Sequence, residues 1–473
     1  MALKWIPAES DKLGVEFLLT NGSAGLLLDP GLHKTSISLK AFSILKSEGV
    51  VQRMLVIAPL RPAYRVWPKE QEKWEDFKDL RVQVLHGPKK NKLLKVEADV
   101  YVVNLEGLPW LIARPLFKKM FKGAVLCVDE SSKFKSYKAK RFKLLRRVLS
   151  VFKRRWILTG SPSPKSLDDL WSQIYLLDMG AALGPFVSQY HMRWFEAVGF
   201  GGYSWAPRDK QAEKEIYEAI APLVLRMSEK DYLKLPKLLS DIQDPIVVDL
   251  PTDARKIYDQ MESLMFAQIG RGEVTAANTA VAMMKCAQIA NGGIYKDNKP
   301  GEKILQGPKR PWTLMHDAKT EAVTDLIDEI GGKPVIITYD YHHDLMRLKK
   351  VFPKGRVIGA GVSMAETGII EDAWNAGKVD QLLVNAQSVA HGLNLQSGGW
   401  GVVWHSITWS WEDYDQLFRR LYRSGRKLPV FVKHIVAKDT VDEVKLEVLK
   451  AKSRKQGQLF DALKAYGKRK GLY

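Results

Sequence analysis

Gly25-Leu26-Leu27-Leu28-Asp29-Pro30-Gly31-Leu32-His33-Lys34-Thr35 is a short apolar run that stops at a Pro-Gly turn and opens a helix-compatible segment, Ser36 to Leu45. A near-continuous apolar run of this length reads as a strand buried on both faces, the habit of parallel sheets covered by helices. A glycine-containing turn between such a strand and a helix is where phosphate-binding loops form. Backbone N–H groups at the helix N-terminus point at the anion there, and the helix dipole adds to them. In that reading Pro30, Gly31, Leu32, His33, Lys34, Thr35 and Ser36 surround the phosphates. Lys34 reaches the outer ones and the Thr35 hydroxyl binds Mg²⁺. The usual glycine before the lysine is His33 here; its side chain either crowds the phosphates or points away and adds a donor. A strand-to-helix turn that holds Gly-x-x-Lys-Thr by coincidence is the plain alternative.

The rest of the chain repeats the strand pattern. Met54-Leu55-Val56-Ile57-Ala58-Pro59, Asp99-Val100-Tyr101-Val102-Val103-Asn104, Ala124-Val125-Leu126-Cys127-Val128-Asp129 and Arg155-Trp156-Ile157-Leu158-Thr159-Gly160 are further short strands, with helix-like segments between them. Alternation of this kind is the βαβ signature. From about residue 165 to 300 the chain reads as mostly helical and rich in aromatics. A second series follows: Pro334-Val335-Ile336-Ile337-Thr338-Tyr339, Arg356-Val357-Ile358-Gly359, Gln381-Leu382-Leu383-Val384-Asn385, Gly401-Val402-Val403-Trp404 and Val430-Phe431-Val432-Lys433-His434-Ile435-Val436. The expected fold class is α/β, two parallel-sheet lobes with helical insertions between them. The expected division is a first lobe over 1–165, a helical insertion over 166–300, a second lobe over 301–447 and a basic helix or tail over 448–473.

The strand at Ala124 to Val128 ends in Asp129-Glu130-Ser131-Ser132. Carboxylates at the C-terminal end of a parallel strand sit in the crevice where ligands bind. Asp129 would hold Mg²⁺ and Glu130 would orient or activate an attacking water. Two solvated acids at the start of a loop are common, but here they follow a phosphate loop and precede Leu158-Thr159-Gly160-Ser161-Pro162. Three elements in that order are far more specific than any one of them.

That order resembles the superfamily-two helicases, and among them the Swi/Snf-related group. Asp129-Glu130-Ser131-Ser132 is similar to the group's Asp-Glu-Ala-His, with both serines as departures, and Thr159-Gly160-Ser161-Pro162 to its Thr-Gly-Thr-Pro. Leu170-Trp171-Ser172 through Gly184-Pro185-Phe186, and Leu225-Arg226 with Leu235-Pro236, are similar to the segments that follow. Ser388-Val389-Ala390-His391-Gly392-Leu393-Asn394-Leu395 resembles the motif linking DNA to the nucleotide. Gln416-Leu417-Phe418-Arg419-Arg420-Leu421-Tyr422-Arg423-Ser424-Gly425-Arg426 resembles the last motif, Gln-x-x-x-Arg-x-x-Arg-x-Gly-Gln, with Arg426 in place of the final Gln. The resemblance runs from about residue 14 to 445.

It implies two RecA-like lobes that bind ATP and Mg²⁺ and act on double-stranded DNA. Lys34, Glu130, Gln416, Arg420 and Arg423 would be catalytic. Gly392 would approach the nucleotide through its backbone, and Pro59, Gly160, Ser161 and Ser388 would track DNA. On a helix Gln416, Arg420 and Arg423 share one face. Arginine suits that place because its charge is permanent and its fork matches phosphate oxygens. The short architecture resembles versions carried by bacteriophages, which implies the host cytoplasm. No clear adenine-reading Gln precedes the phosphate loop.

Composition agrees with this class. With 473 residues and 46% hydrophobic content the chain is too long for one ordinary core. No apolar run is long enough to span a membrane. The cysteines, Cys127 and Cys286, lack metal-ligand neighbours and read as reduced core residues. Lys and Arg total 73 against 53 Asp and Glu, a formal charge of +20, which attracts polyanions. Residues 133 to 155 hold eleven Lys or Arg and no acid; they read either as a DNA-facing run or as solvated helix faces. Trp67 and Trp74, seven apart, read as core on one side of a helix, and His191 and His405 as structural.

Two other functions share these motifs. One is a strand-separating DNA or RNA helicase, which strand displacement on duplexes would reveal. The other is a DNA-binding protein that has lost hydrolysis, motivated by His33 and Ser132, which a phosphate-release assay would reveal. Pathway, polarity and any recruiting or nuclease partner are not written in these motifs.

Overall fold

The computed structural model describes residues 3–160, 166–198, 204–232, 236, 238, 245–270, 276–296, 310–359, 361–389, 393–423, 426 and 428–453. The chain divides into two compact units at Lys234/Leu235.

The first unit is built on strands β1 (Ser23–Leu28), β2 (Met54–Ala58), β3 (Val82–Val84), β4 (Val100–Asn104), β5 (Val125–Asp129), β6 (Arg154–Thr159), β7 (Phe195–Val198), β8 (Ser204–Pro207) and β9 (Val224–Met227). Seven of them form one sheet in the order β3-β4-β2-β5-β6-β1-β9, and β7 and β8 pair separately. Every pairing in the large sheet is parallel. The apolar runs explain why. Along β2, Leu55 and Ile57 enter one hydrophobic cluster while Met54, Val56 and Ala58 enter another on the opposite face. A strand with helices on both sides has no polar face to show, so its sequence is apolar throughout.

The second unit carries β10 (Ile246–Val248), β11 (Gly293–Tyr295), β12 (Trp312–Leu314), β13 (Val335–Thr338), β14 (Arg356–Ile358), β15 (Gln381–Val384), β16 (Gly401–Trp404) and β17 (Phe431–Ala437). Six form a parallel sheet in the order β10-β17-β16-β13-β15-β14, and β11 and β12 make an antiparallel pair. Ile336, Leu382 and Val384 pack on one side of it, Val335, Ile337 and Leu383 on the other.

The ten strands read from apolar runs are all present, within a residue or two of their expected ends. The middle of the chain is mostly helical, as read, but it also carries short strands that the reading lacked. It supplies β7, β8 and β9 to the first unit and β10 and β11 to the second, so residues 166–300 do not form a unit of their own in this division. These strands are three or four residues long, too short to show a period, and β9 carries Arg226 in its centre.

A buried charged cluster ties the second unit together. Lys319 is wholly buried; its Nζ donates to Asn291 Oδ1 at 2.9 Å and to the His405 carbonyl at 3.3 Å, and it ion-pairs with Asp442. Arg347 Nη2 donates to Asp344 Oδ1 at 3.0 Å, and Ser406 Oγ donates to Asp344 Oδ2 at 2.8 Å. His405 is buried among these groups, and burial pushes its pKa down to about 3. That agrees with a structural role, as does His191, which is buried and stacked on Trp205. Both cysteines are free and buried.

Candidate nucleotide site

The strand, turn and helix read for the candidate phosphate loop are all present. Strand β1 ends at Leu28, and the helix Lys34–Ser47 begins directly after His33. Two backbone positions make the turn possible: Gly31 at φ 102° and His33 at φ 40°. The second is in the left-handed region, which costs a residue with a Cβ roughly 1–3 kcal/mol. An interaction offsets that cost. His33 Nδ1 lies 3.1 Å from Asp11 Oδ1, and Asp11 is buried at the start of the helix Glu9–Thr20, where it also accepts the Ala8 N–H. The imidazole is therefore engaged by a carboxylate. Lys34 Nζ turns back into the loop and donates to the carbonyls of Leu28 at 2.7 Å and Asp29 at 3.3 Å.

The base of the loop is clamped from β9. Asp29, 3% exposed, receives Arg226 Nη2 at 2.7 Å and the Ser228 hydroxyl at 3.2 Å; Arg226 is itself 5% exposed and also donates to the Leu27 carbonyl at 2.9 Å. Removing one partner of a buried ion pair leaves the other charge uncompensated. Arg226→Ala is expected to lower stability by about 3–5 kcal/mol, read as a drop in the urea midpoint. A change below about 1 kcal/mol would mean that Asp29 needs no such partner.

Two strands away, β5 ends at Asp129, and all strands of this sheet run parallel, so Leu28, Asp129 and Thr159 finish at one edge. Burial is the main cause that lifts the Asp129 pKa to about 6. The Trp67 N–H opposes it, Glu130 adds to it, and the Lys34 ammonium opposes it. Trp67 is fully buried, as expected of a core residue, but its Nε1 donates to Asp129 Oδ2 at 3.0 Å. It opens the helix Trp67–Lys73, whereas Trp74 sits just past that helix in extended conformation, so the two do not share a helix face.

Glu130 stands at φ 60°, and its Oε1 accepts hydroxyl protons from Ser132 at 2.7 Å and Thr159 at 3.1 Å. The departure at Ser132 thus supports the glutamate directly. Ser131 Oγ donates to Gln173 Oε1 at 2.8 Å, tying the motif to the helix Leu170–Asp178. Gly160 lies against the phosphate loop: a Cβ there would sit 3.4 Å from Pro30 Cδ and 3.5 Å from the Leu28 carbonyl. Ser161 and Gly392 lie outside the described residues. Pro59 is buried, and Ser388 is exposed on the short helix Ala386–Val389.

Among the described residues no three His, Cys, Asp or Glu side chains cluster as a closed metal cage. The set on this edge, the Thr35 hydroxyl and the Asp129 carboxylate, fits Mg²⁺. That ion takes one or two protein oxygens and fills the rest of its octahedron with phosphates and water.

In the second unit the helix Trp411–Leu421 is capped by Ser410, whose Oγ accepts the Asp413 N–H. Gln416 and Arg420 are on it, but the helix ends at Leu421. Arg423 is therefore not on the helix face expected for it; Tyr422, at ψ 87°, turns the chain away first. Gln416 Oε1 is buried with no hydrogen-bond partner among the described residues. Arg419 is engaged by Asp415 at 2.8 Å. Arg426 holds its own loop, donating to the carbonyls of Leu428 at 3.0 Å, Gln396 at 2.5 Å and Pro429 at 3.3 Å, and to that of Gly399.

The basic run is partly structural. Arg154 Nη1 donates to the carbonyls of Leu18, Leu19 and Asn21, closing the end of the helix Glu9–Thr20. Arg155 Nε donates to the Leu177 carbonyl at the end of Leu170–Asp178, Lys153 to Val50 and Arg146 to Pro185. Cations at helix C-termini complete unpaired carbonyls. Lys138, Lys140, Lys143 and Arg147 remain exposed.

A model of the SNF2-related domain matches residues 4–293, more than half of the chain. The chain belongs to the SNF2-related family. Putative protein p41 of Acyrthosiphon pisum secondary endosymbiont phage 1 is 33% identical over 474 residues, covering 97% of this chain and 98% of its own. The human DNA annealing helicase and endonuclease ZRANB3 is 22% identical over 478 residues, 98% of this chain but 41% of its own length. The Sulfolobus solfataricus SWI2/SNF2 ATPase core in complex with dsDNA superposes with a TM-score of 0.44 at 20% identity, covering 93% of this chain and 90% of that one. The seven-stranded parallel sheet of the first unit lies within the residues matched by that SNF2-related domain. Among the described residues no helix is long and apolar enough to cross a membrane.

Proposed function

We propose that this SNF2-related chain is a DNA-dependent ATPase that couples hydrolysis to translocation on, or remodelling of, double-stranded DNA. The observation that carries the reading is the gathering of Asp129, Glu130 and Thr159 at the sheet edge where β1 ends and turns into the Lys34–Ser47 helix. Pro30 to Ser36 bind the phosphates through backbone N–H groups and Lys34, and Gly392, by resemblance, is a backbone position close to nucleotide. Thr35 and Asp129 would hold Mg²⁺, which when bound would supply neutralisation of the phosphate charge. Glu130, held by two hydroxyls, orients the attacking water and takes its proton. Gln416, Arg420 and Arg423 serve the γ-phosphate as negative charge develops. Pro59, Gly160, Ser161 and Ser388 lie on the DNA path. The relative in a phage supports a phage origin and action in the host cytoplasm.

Phosphate release with and without duplex DNA tests the proposal. Release is expected to rise at least about 10-fold with duplex and to vanish in Lys34→Ala, since a lost phosphate-binding charge costs several powers of ten in rate. No release from the parent protein would leave only a binding role. Strand displacement would convert the reading to a helicase.

A further inference from the structure

Between the end of β2 and the nucleotide edge lies a segment that the motifs alone do not explain. The chain leaves β2 at Ala58-Pro59, makes a π-helical turn over Pro62–Val66, and runs directly into the helix Trp67–Lys73. The Pro59 carbonyl accepts the Ala63 N–H at 3.0 Å, and the Trp67 N–H closes the π turn on the Pro62 carbonyl. Such turns are rare and recur at functional sites. On its outer side Tyr64 is 37% exposed and meets the His86 ring edge-on at 4.8 Å. On its inner side the segment touches the nucleotide edge twice. Trp67 holds Asp129, and Glu70 Oε1 accepts the Ser36 hydroxyl at 2.5 Å and the Trp74 N–H at 2.6 Å. Ser36 is buried and follows Thr35 directly. One short segment therefore grips both a carboxylate on β5 and the first turn of the phosphate-loop helix.

We infer that Trp67 and Glu70 are positioning residues through which duplex contact on the outer side of the turn Leu60–Tyr64 sets the placement of Asp129 and Thr35. The inference rests on the ATPase reading above. Pressure on the outer turn has a packed route inward, because Trp67 is wholly buried and cannot yield without moving its partner. Groups that orient a metal ligand matter for metal affinity on the order of 10-fold or more.

The test is Trp67→Phe in the full chain, which keeps a buried ring and removes the donor. Mn²⁺ affinity in the presence of ADP, followed by electron paramagnetic resonance, is expected to weaken on the order of 10-fold. Duplex stimulation of phosphate release is expected to fall by a similar factor, while duplex affinity measured by fluorescence anisotropy stays within about twofold, because no phosphate contact is lost. Where Trp67→Phe melts below the assay temperature, benzothienylalanine at position 67 keeps the indole shape without the N–H, and the same results are expected of it. Mn²⁺ affinity and stimulation both within about twofold of the parent would overturn the inference and leave the ATPase reading standing, since second-shell loss is larger than that. A parent protein whose phosphate release ignores duplex would overturn the ATPase reading, and this inference with it.

Discussion

Glu130→Gln is expected to halt phosphate release while nucleotide still binds. The substitution is nearly isosteric, and its amide oxygen still accepts the hydroxyl protons that Ser132 and Thr159 offer to Oε1. Position is kept, and what is lost is the ability to take a proton. General-base contributions run to roughly 10²–10⁴ in rate. The left-handed backbone at φ 60° supports the reading, because a non-glycine residue holds that conformation only where its surroundings impose it. Single-turnover release from a preformed complex is the measurement. A variant that keeps more than about a tenth of the parental rate removes Glu130 from the chemistry.

Arg423→Ala is expected to be at least as severe. Arginines that meet the γ-phosphate contribute roughly 10³–10⁵ in rate in other NTPases, and most of that is expressed in the transition state. ATP binding, measured with a fluorescent analogue, should therefore hold within about threefold while turnover collapses. Arg420→Ala is expected to follow the same pattern, with an added stability cost because its side chain is half-buried on the helix Trp411–Leu421. Arg423 stands beyond that helix and is likewise half-buried, so thermal melting of both variants separates a stability cost from a loss of turnover. Parallel losses in binding and turnover for Arg423→Ala would place it outside the transition state.

Much of this architecture is written in the local sequence. Strands buried on both faces announce themselves as apolar runs, and a Pro-Gly turn before Lys34 marks the loop without reference to anything distant. The short strands of the middle region are different. Val224–Met227 becomes a strand because β1 offers it an edge, and Arg226 becomes tolerable there because Asp29 lies opposite, nearly two hundred residues earlier in the chain. The same holds for Trp67. Its burial follows from its character, but the Asp129 oxygen that receives its N–H is a fact of tertiary structure. His33 and Arg426 are read from the sequence as departures from a pattern. Both turn out to be satisfied by partners, a carboxylate for one and backbone carbonyls for the other, that no motif contains. The face proposed for Arg423 fails because the helical spacing runs two residues past the stop at Leu421, a stop that carries neither Gly nor Pro.

The internal employment of so many cations has a thermodynamic consequence. Arg154, Arg155, Arg226, Arg347, Arg426 and Lys319 each spend their protons on carbonyls or acids inside the fold. Ions released from a nucleic acid on association are counted by the phosphates a protein neutralises, not by its formal charge. The surplus of +20 therefore overstates the footprint. Affinity for a polyanion should decline with added electrolyte far more gently than that surplus suggests.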